Sequence, residues 1–375
     1  MEGGENKLSG YFLCDTIWAV IETTIKKINA ALKGLLESAN RRYRLGLISD
    51  DLFAFSKDFV LRPGKRIRPL LFVLSYKGYT KRKKYAQGPL FTSAAAIELL
   101  HDYMLIHDDV IDNSSLRRGK PTLHKMFDNK IKLPGDAKIG SSLAIVAGDI
   151  LFALGIEAFL AVKEVPGQKE AALKKLVETA AFTGAGEFID VVYGFRNIRT
   201  LSEKDVFLIY TLKTAKYTFE CPLVMGATLA GARTGELREL SRLGIAAGQA
   251  FQIYDDFLDL FASEEIIGKP VLSDLNESKK TLLVYKAFEN LKGKKRKKLT
   301  DILEGKDKTL KDLELFRELI VESGAYDYCI KKMSSLQKTA LDASNKLAIR
   351  PDYGKAIESI ISKLSPSRMP IKIKS

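Results

Sequence analysis

Two clusters of aspartates with the same spacing are the residues of this chain best suited to chemistry. They are Asp108-Asp109-Val110-Ile111-Asp112 and Asp255-Asp256-Phe257-Leu258-Asp259. Each belongs to an apolar stretch with helical character, and on a helix the first and fifth residues of the pattern lie one turn apart on the same face. Burying such carboxylates is costly unless a cation lies between them. Oxygen ligands without cysteine or histidine favour Mg²⁺, which usually joins protein carboxylates to phosphate oxygens. The clusters therefore predict magnesium-dependent chemistry on a phosphate ester.

Three groups of basic residues accompany the aspartates. The first is Gly64-Lys65-Arg66-Ile67-Arg68-Pro69, at a turn before a predicted helix. The second is Arg117-Arg118-Gly119-Lys120-Pro121-Thr122, directly after the first acidic cluster. The third is divided between Lys213-Thr214, within a predicted helix, and Gly268-Lys269-Pro270, after the second acidic cluster.

Each of these motifs alone is common in proteins without any such function, but the combination is specific. Mg²⁺ between two rows of carboxylates would hold one diphosphate, and lysine and arginine would neutralise its remaining charge. A second basic pocket without metal would hold another diphosphate through the planar donor groups of arginine. The set of motifs therefore suits a reaction between two diphosphate esters.

Nearly every periodic segment has the 3.6-residue period of an amphipathic helix. The predicted helices are Asp15–Leu45, Ile67–Lys77, Gly88–Asp112, Ser141–Val162, Glu170–Tyr193, Glu203–Lys216, Phe219–Ala232, Gly235–Leu260, Lys279–Leu291, Thr309–Ser323, Ala325–Leu347 and Tyr353–Leu364. No run alternates for long enough to predict a strand, and Asn113–Lys125 is predicted to be irregular. The pattern predicts one all-α domain whose helices pack as a bundle.

Composition limits the alternatives. With 375 residues, 46% of them hydrophobic, the chain can bury a large core. The three cysteines are odd in number and far apart, which fits a reducing cytoplasm rather than a disulfide scaffold. No signal peptide is visible at the N-terminus. The apolar run Leu143–Val162 contains Asp149 and Glu157, so we expect a buried helix rather than a transmembrane segment.

The net charge of +14 raises the question of an anionic partner. Much of the excess lies in Lys81–Lys84 and Lys294–Lys298, which are predicted to be solvated loops or helix ends. No aromatic residues are interleaved for base stacking, so nucleic acid is not an expected partner. Weak contact with an anionic membrane surface stays open.

In their order and combination these motifs resemble the trans-isoprenyl diphosphate synthases (polyprenyl synthetases), most closely the archaeal-type short-chain geranylgeranyl and farnesyl diphosphate synthases. The match covers about Leu45–Leu291, and one departure is Ala262-Ser263, where the family often has Gly-Asp. The resemblance implies a single large helical bundle around a deep central cavity, a homodimer, and a sequence of ionisation, condensation and elimination. We expect a flexible N-terminus (1–10), one all-α prenyltransferase domain (11–365) and a basic C-terminal tail (366–375).

The resemblance also implies a role for each matching residue. The Mg²⁺ ligands would be Asp108, Asp112 and Asp255, supported by Asp109, Asp256 and Asp259. The allylic diphosphate would be held by Arg117, Lys213 and Lys269, and isopentenyl diphosphate by Lys65, Arg68, His101 and Arg118. Thr214 and Gln252 would help to stabilise the allylic cation, and the departing diphosphate would accept the final proton.

Product length is expected to depend on residues just before Asp108, because the prenyl chain should grow alongside their helix. Tyr103 lies five positions upstream, about 7.5 Å along a helix axis. An aromatic residue at this position resembles the archaeal-type enzymes that make geranylgeranyl diphosphate. Met104 is large enough to shorten the cavity, so a farnesyl product or a C15/C20 mixture is the alternative. Tyr103 could also be an ordinary core aromatic.

Three other classes of protein are alternatives to a synthase. A terpene cyclase or a head-to-head synthase shares the acidic helices but needs no isopentenyl site. Lys65, Arg68 and Arg118 indicate that such a site is present, which argues against both classes. A non-catalytic regulatory subunit of a synthase would be expected to lose an acidic cluster, and both are intact. A nucleic-acid-binding protein would not need paired aspartate clusters.

Overall fold

Helices make up most of the chain, as the predicted all-α fold requires. The computed structural model describes residues 5–133, 138–264 and 271–364, with side chains for 17–133, 138–264, 271–272 and 275–364. In chain order the elements are α1 (Glu5–Tyr43), α2 (Leu45–Ile48), α3 (Asp50–Leu61), α4 (Ile67–Tyr79), α5 (Gln87–Ile111), β1 (Leu116–Arg117), β2 (Lys120–Pro121), α6 (Leu123–Lys130), α7 (Gly140–Phe159), α8 (Pro166–Phe195), a 3₁₀ turn (Ile198–Thr200), α9 (Glu203–Ile209), a π-helix (Tyr210–Glu220), α10 (Cys221–Leu229), α11 (Thr234–Phe261), α12 (Ser273–Asn276), α13 (Leu282–Asn290), α14 (Gly293–Glu304), α15 (Leu310–Glu322), α16 (Ala325–Ser344) and α17 (Pro351–Ser362).

The two helices that carry the aspartate clusters are held firmly in the core. Helix α5 packs against α1, α4 and α7, and α11 packs against the π-helix and α16. Leu99 and Ile106 of α5 are fully buried, as are Ile253 and Phe257 of α11. Burying a side chain of this size contributes about 1.5–3 kcal/mol. Five of the six aspartates are therefore carried on packed helices, and Asp112 is the C-cap residue directly after α5.

A short β-hairpin links α5 to α6, where irregular backbone without strands was predicted; that prediction was wrong. Arg117 pairs with Lys120 across the two strands. Arg118 and Gly119 connect the strands at φ values of 56° and 72°, as in two-residue hairpin loops whose central residues both have positive φ. The sequence signal is weak because the loop is Arg-Gly rather than Asn-Gly and each strand has only two residues.

The segment from Glu203 to Leu229 also differs from the prediction of two separate helices. Helix α9 runs directly into the π-helix, which runs directly into α10. A π-helix has a wider turn than an α-helix and is frequent at functional sites. Its period differs from 3.6 residues, so a search for the α-helical period divides the segment wrongly.

The predictions for the two basic runs and for the start of one C-terminal helix were partly correct. The basic run Lys294–Lys298 lies within α14, so the prediction of a loop or helix end was wrong for it. The run Lys81–Lys84 lies outside the helices, as predicted. Helix α13 begins at Leu282, later than the predicted Lys279, because the Thr281 side chain caps it by accepting a hydrogen bond from the Val284 N–H.

Helix α7 is the one helix in the described ranges that is long and apolar enough to cross a membrane. Length and apolarity are weak evidence, because a core helix meets the same criteria. In this structure α7 packs along α5, and Ala144, Ala147 and Leu151 on its inner face are buried. The packing agrees with the predicted core helix.

Candidate active site

A cavity of about 610 Å³ lies between α5, α8, the π-helix and α11. The predicted site residues that line it are Arg68, His101, Tyr103, Met104, Asp108, Lys213, Thr214, Gln252 and Asp255. Residues from distant parts of the chain thus reach one space, and the first aspartate of each cluster faces it. Apolar residues, among them Leu105, Ile111, Phe188 and Val191, form much of the remaining wall.

The first aspartate cluster is surrounded by cations. Arg117 Nη2 lies 3.2 Å from Asp108 Oδ2, and Lys213 Nζ lies 3.4 Å from Asp108 Oδ1. Burial opposes the ionisation of Asp108, but Lys213, Arg117 and Lys279 outweigh it and lower its pKa to about 2. Lys279 Nζ lies 3.5 Å from Asp112 Oδ2. Burial raises the pKa of Asp112 despite this lysine.

The middle aspartate of the first cluster turns away from the cavity. Asp109 is fully buried and accepts hydrogen bonds from Arg117 Nε at 2.8 Å and Nη2 at 2.5 Å. Burial raises the pKa of Asp109 to about 6, and the adjacent guanidinium only partly offsets this effect. Asp109 therefore anchors Arg117 and the hairpin.

The second aspartate cluster divides in the same way. Asp255 lines the cavity. Asp256 is buried and accepts hydrogen bonds from the Tyr210 hydroxyl and, at 2.9 Å, from Gln252 Nε2. Asp259 lines a smaller pocket together with Lys279. The first residue of the pattern faces the cavity in both clusters, and the second makes buried structural contacts.

The π-helix brings Lys213 and Thr214 to the cavity. Thr214 Oγ1 donates to Gln252 Oε1 at 2.5 Å, which extends the network from Asp256 towards the cavity. Gly248 of α11 allows the close approach, because a Cβ atom there would lie 2.3 Å from Ala215 Cα. A larger residue at this position would separate α11 from the helix that carries the lysine.

Three further site residues lay outside the sequence predictions: Glu187, Asp190 and Lys279. Lys213 Nζ lies 2.7 Å from Glu187 Oε2 and 2.8 Å from Asp190 Oδ2. Burial raises the pKa of Glu187 to about 7, with Lys213 opposing it. The two acids are three residues apart on α8 and so share a face. This spacing was the available signal, but it is too common to single them out.

A basic pocket adjoins the aspartates. Arg68 Nη1 lies 3.1 Å from His101 Nε2, and Arg68 Nη2 donates to Thr218 Oγ1 at 2.8 Å. Burial, with nearby Arg68 and Arg118, lowers the pKa of His101 well below its ordinary value, so this histidine is neutral. The Arg118 guanidinium lies over the Gly64 turn, 3.2 Å from where a Cβ atom would stand. The neighbouring Lys65 is exposed.

A buried carboxylate lies behind this pocket. Asp102 is fully buried, and its two carboxylate oxygens accept no hydrogen bond from the described residues. Burial and the Glu98 carboxylate raise the pKa of Asp102 well above its ordinary value. Glu98 itself is paired with Arg66 at 2.6 Å. Arg118, Arg66 and Arg68 lie near Asp102, but none of them donates a hydrogen bond to its carboxylate.

The carboxylate oxygens of the two aspartate clusters suit a Mg²⁺ ion that is shared with a phosphate compound. Within the described ranges, no three His, Cys, Asp or Glu side chains are arranged to hold a metal ion by themselves. Mg²⁺ is usually bound by one or two carboxylates, with phosphate and water oxygens completing its shell. Asp108, Asp112 and Asp255 supply such carboxylates. Lys269, predicted to bind a diphosphate, lies outside the described residues.

Comparison with known proteins gives the same picture. The polyprenyl synthetase family model matches residues 50–320. A short chain isoprenyl diphosphate synthase of Methanocaldococcus jannaschii is 34% identical over 299 residues, 79% of this chain and 84% of that protein. A geranylgeranyl diphosphate synthase of Sulfolobus acidocaldarius is 33% identical over 301 residues, with the same coverage of 79% and 84%.

The fold is also similar to that of a solved structure. The crystal structure of geranylgeranyl pyrophosphate synthetase from Pyrococcus horikoshii superposes with a TM-score of 0.76 at 28% identity. The match covers 94% of this chain and 98% of that one. It confirms the predicted all-α fold. The chain therefore belongs to the polyprenyl synthetase family of prenyltransferases.

Proposed function

We propose that this protein is a Mg²⁺-dependent short-chain prenyl diphosphate synthase. It condenses isopentenyl diphosphate head-to-tail (1′-4) with an allylic diphosphate and makes mainly geranylgeranyl diphosphate. The observation that carries this proposal is that the first aspartate of each cluster and the basic Arg68–His101 pair line a single, largely apolar cavity. The names of the relatives from M. jannaschii and S. acidocaldarius support the same activity.

The allylic diphosphate would bind at Asp108, Asp112 and Asp255. Bound Mg²⁺ would neutralise the negative charge that develops on the leaving diphosphate. Lys213 now contacts Asp108, Glu187 and Asp190. Asp108 would help to hold the Mg²⁺, and the Lys213 ammonium could then donate to a diphosphate oxygen. Arg117 and Lys269 would add positive charge, and Asp109, Asp256 and Asp259 would support the carboxylates that face the cavity.

Isopentenyl diphosphate would bind at Lys65, Arg68, His101 and Arg118. These groups offer several donors for an anion that carries no metal, and guanidinium groups bind such oxygens in pairs. The neutral His101 can donate one hydrogen bond without adding charge. The allylic cation would lie near the oxygens of Thr214 and Gln252, and the apolar wall would protect it from water. The departing diphosphate accepts the proton that is lost at the end.

Tyr103 and Met104 line the cavity and are the proposed limit of the growing chain. A farnesyl product, or a C15/C20 mixture, is the second candidate, because Met104 also narrows the same space. The site does not suit a non-catalytic regulatory subunit, since that role would not require the cations placed around Asp108.

We propose a cytoplasmic homodimer. Phe188 and Phe195 on α8 are 69% and 91% exposed, and Ile145 and Val146 on α7 are exposed as well. A second copy that covered these side chains would remove apolar surface from water. Light scattering of the purified protein should give twice the monomer mass. A monomer mass at micromolar concentration would contradict this part of the proposal.

The direct test is to incubate the protein with Mg²⁺, isopentenyl diphosphate and, in separate reactions, each short allylic diphosphate, and then to measure the length of the products. We expect a C20 product that disappears when Mg²⁺ is chelated. Absence of any prenyl product with every primer would contradict the proposed activity. A C15 product would support the second candidate.

A further inference from the structure

We propose that Phe152 on α7 is a positioning residue for product length. It acts by holding the ring of Tyr103 in place. The inference rests on the proposed function. Phe152 is not among the residues that line the cavity, whereas Tyr103 is. The ring centroids of the two residues are 5.2 Å apart, with an angle of 54° between the ring planes. The limit of the cavity is thus built from two helices.

The ring of Tyr103 is fixed on a second side by His107. The two ring centroids are 4.6 Å apart in an edge-to-face arrangement. His107 is itself tied to α7, because its Nε2 atom lies 3.2 Å from the Ile145 carbonyl oxygen. Aromatic pairs at such distances are favourable beyond the area that they bury. Tyr103 therefore lies between an aromatic ring on its own helix and one on α7.

Gly148 allows α7 to come this close to the His107 and Tyr103 rings. A Cβ atom at Gly148 would lie 2.7 Å from His107 Nε2 and 3.5 Å from Tyr103 Cδ2. Positions 148 and 152 lie four residues apart and so share one face of α7. This face holds the His107 and Tyr103 rings and leaves little room for them to move towards α7.

The consequence concerns what happens when a prenyl chain reaches Tyr103. A chain that grows by one further isoprene unit must displace the Tyr103 ring. Phe152 packs against this ring and does not line the cavity, so it would oppose the displacement. Removing the Phe152 ring would open room for Tyr103 to turn away from the cavity without altering any residue that contacts substrate.

The test compares product lengths for the full-length wild type, Phe152→Ala and Tyr103→Ala, with Mg²⁺, excess isopentenyl diphosphate and an allylic primer. We expect Phe152→Ala to increase the share of products longer than those of the wild type by about tenfold, within the range for a changed apolar contact. Phe152→Tyr keeps the ring and should restore the wild-type products.

A matched control is Phe127→Ala on α6. Phe127 is buried and its ring centroid lies 5.4 Å from that of Phe55, but neither residue lines the cavity. This variant should lose stability without changing product length. If Phe152→Ala fails to fold, as judged by circular dichroism, Phe152→Leu decides, and a smaller increase in long products is expected.

Two results would overturn the inference. One is a wild-type product distribution from Phe152→Ala (or from Phe152→Leu, if that variant decides) while Tyr103→Ala makes longer products. The other is unchanged product length in Tyr103→Ala, since the ring would then not limit the chain. Both differ from failure of the proposed function, in which the wild type forms no prenyl product.

Discussion

The two aspartate clusters have the same spacing but different partners. In both, the first aspartate lines the cavity and the second is buried. Asp109, however, is paired with the charged Arg117, whereas Asp256 accepts hydrogen bonds from the neutral Tyr210 and Gln252. The shared pattern therefore specifies which carboxylates face the substrate. The residues that hold the buried second aspartate in place differ between the two clusters.

This difference matters for how each half of the site responds to a diphosphate. The carboxylates of the first cluster are already near cations, with Lys213 and Arg117 close to Asp108 and Lys279 close to Asp112. Under the proposed function, these cations would move to the diphosphate when Mg²⁺ binds. On the side of the second cluster, Asp256, Gln252 and Thr214 form a hydrogen-bonded chain that keeps Asp255 and the π-helix in register. The Asp256–Gln252–Thr214 chain thus links the second cluster to the π-helix.

The largest expected effect is on turnover. Asp108→Ala and Asp255→Ala should each reduce kcat by about 10²–10³-fold, because each removes a group that helps to hold the diphosphate where charge develops. Radiolabelled isopentenyl diphosphate incorporation measures this loss. If either variant retained more than about a tenth of wild-type activity, the assignment of that aspartate to the metal site would be wrong.

A second effect should separate the two buried aspartates. Asp109→Ala leaves the Arg117 guanidinium without its buried partner, and we expect the free energy of unfolding to fall by about 2–3 kcal/mol. Asp256→Ala removes the acceptor of the neutral Tyr210 and Gln252 donors and should cost about 1–2 kcal/mol. Urea denaturation followed by circular dichroism measures both. Equal losses would contradict the contrast between charged and neutral support.

A smaller effect is expected on the pH dependence of stability. Burial raises the pKa of Asp109 from 3.8 to about 6. The folded protein therefore holds a proton that the unfolded chain releases near pH 4. This contribution to stability is complete below about pH 4 and is lost as pH rises to about 6. In Asp109→Asn, which does not titrate, the free energy of unfolding should fall less over this interval. An unchanged slope in denaturation experiments from pH 4 to 6 would count against a raised Asp109 pKa.

Much of this site was predictable because local spacing determines it. The i, i+4 relation placed Asp108 and Asp112 together, and the order of the motifs indicated the fold. The roles of Asp109 and Asp256 were not predictable in the same way. Their partners, Arg117 across a hairpin and Tyr210 on the π-helix, are brought close by tertiary packing. Glu187, Asp190 and Phe152 also acquire their roles only when α7 and α8 pack beside α5 and the π-helix.

The central claim is that the two aspartate clusters bind one diphosphate and act as a unit. The most direct test measures kcat for Asp108→Ala, Asp255→Ala and the double variant under identical Mg²⁺ and substrate concentrations. Residues that act as a unit are strongly non-additive. We predict that the double variant loses little more activity than the more damaged single variant. If the two losses instead multiplied, the clusters would act independently and the account would be contradicted.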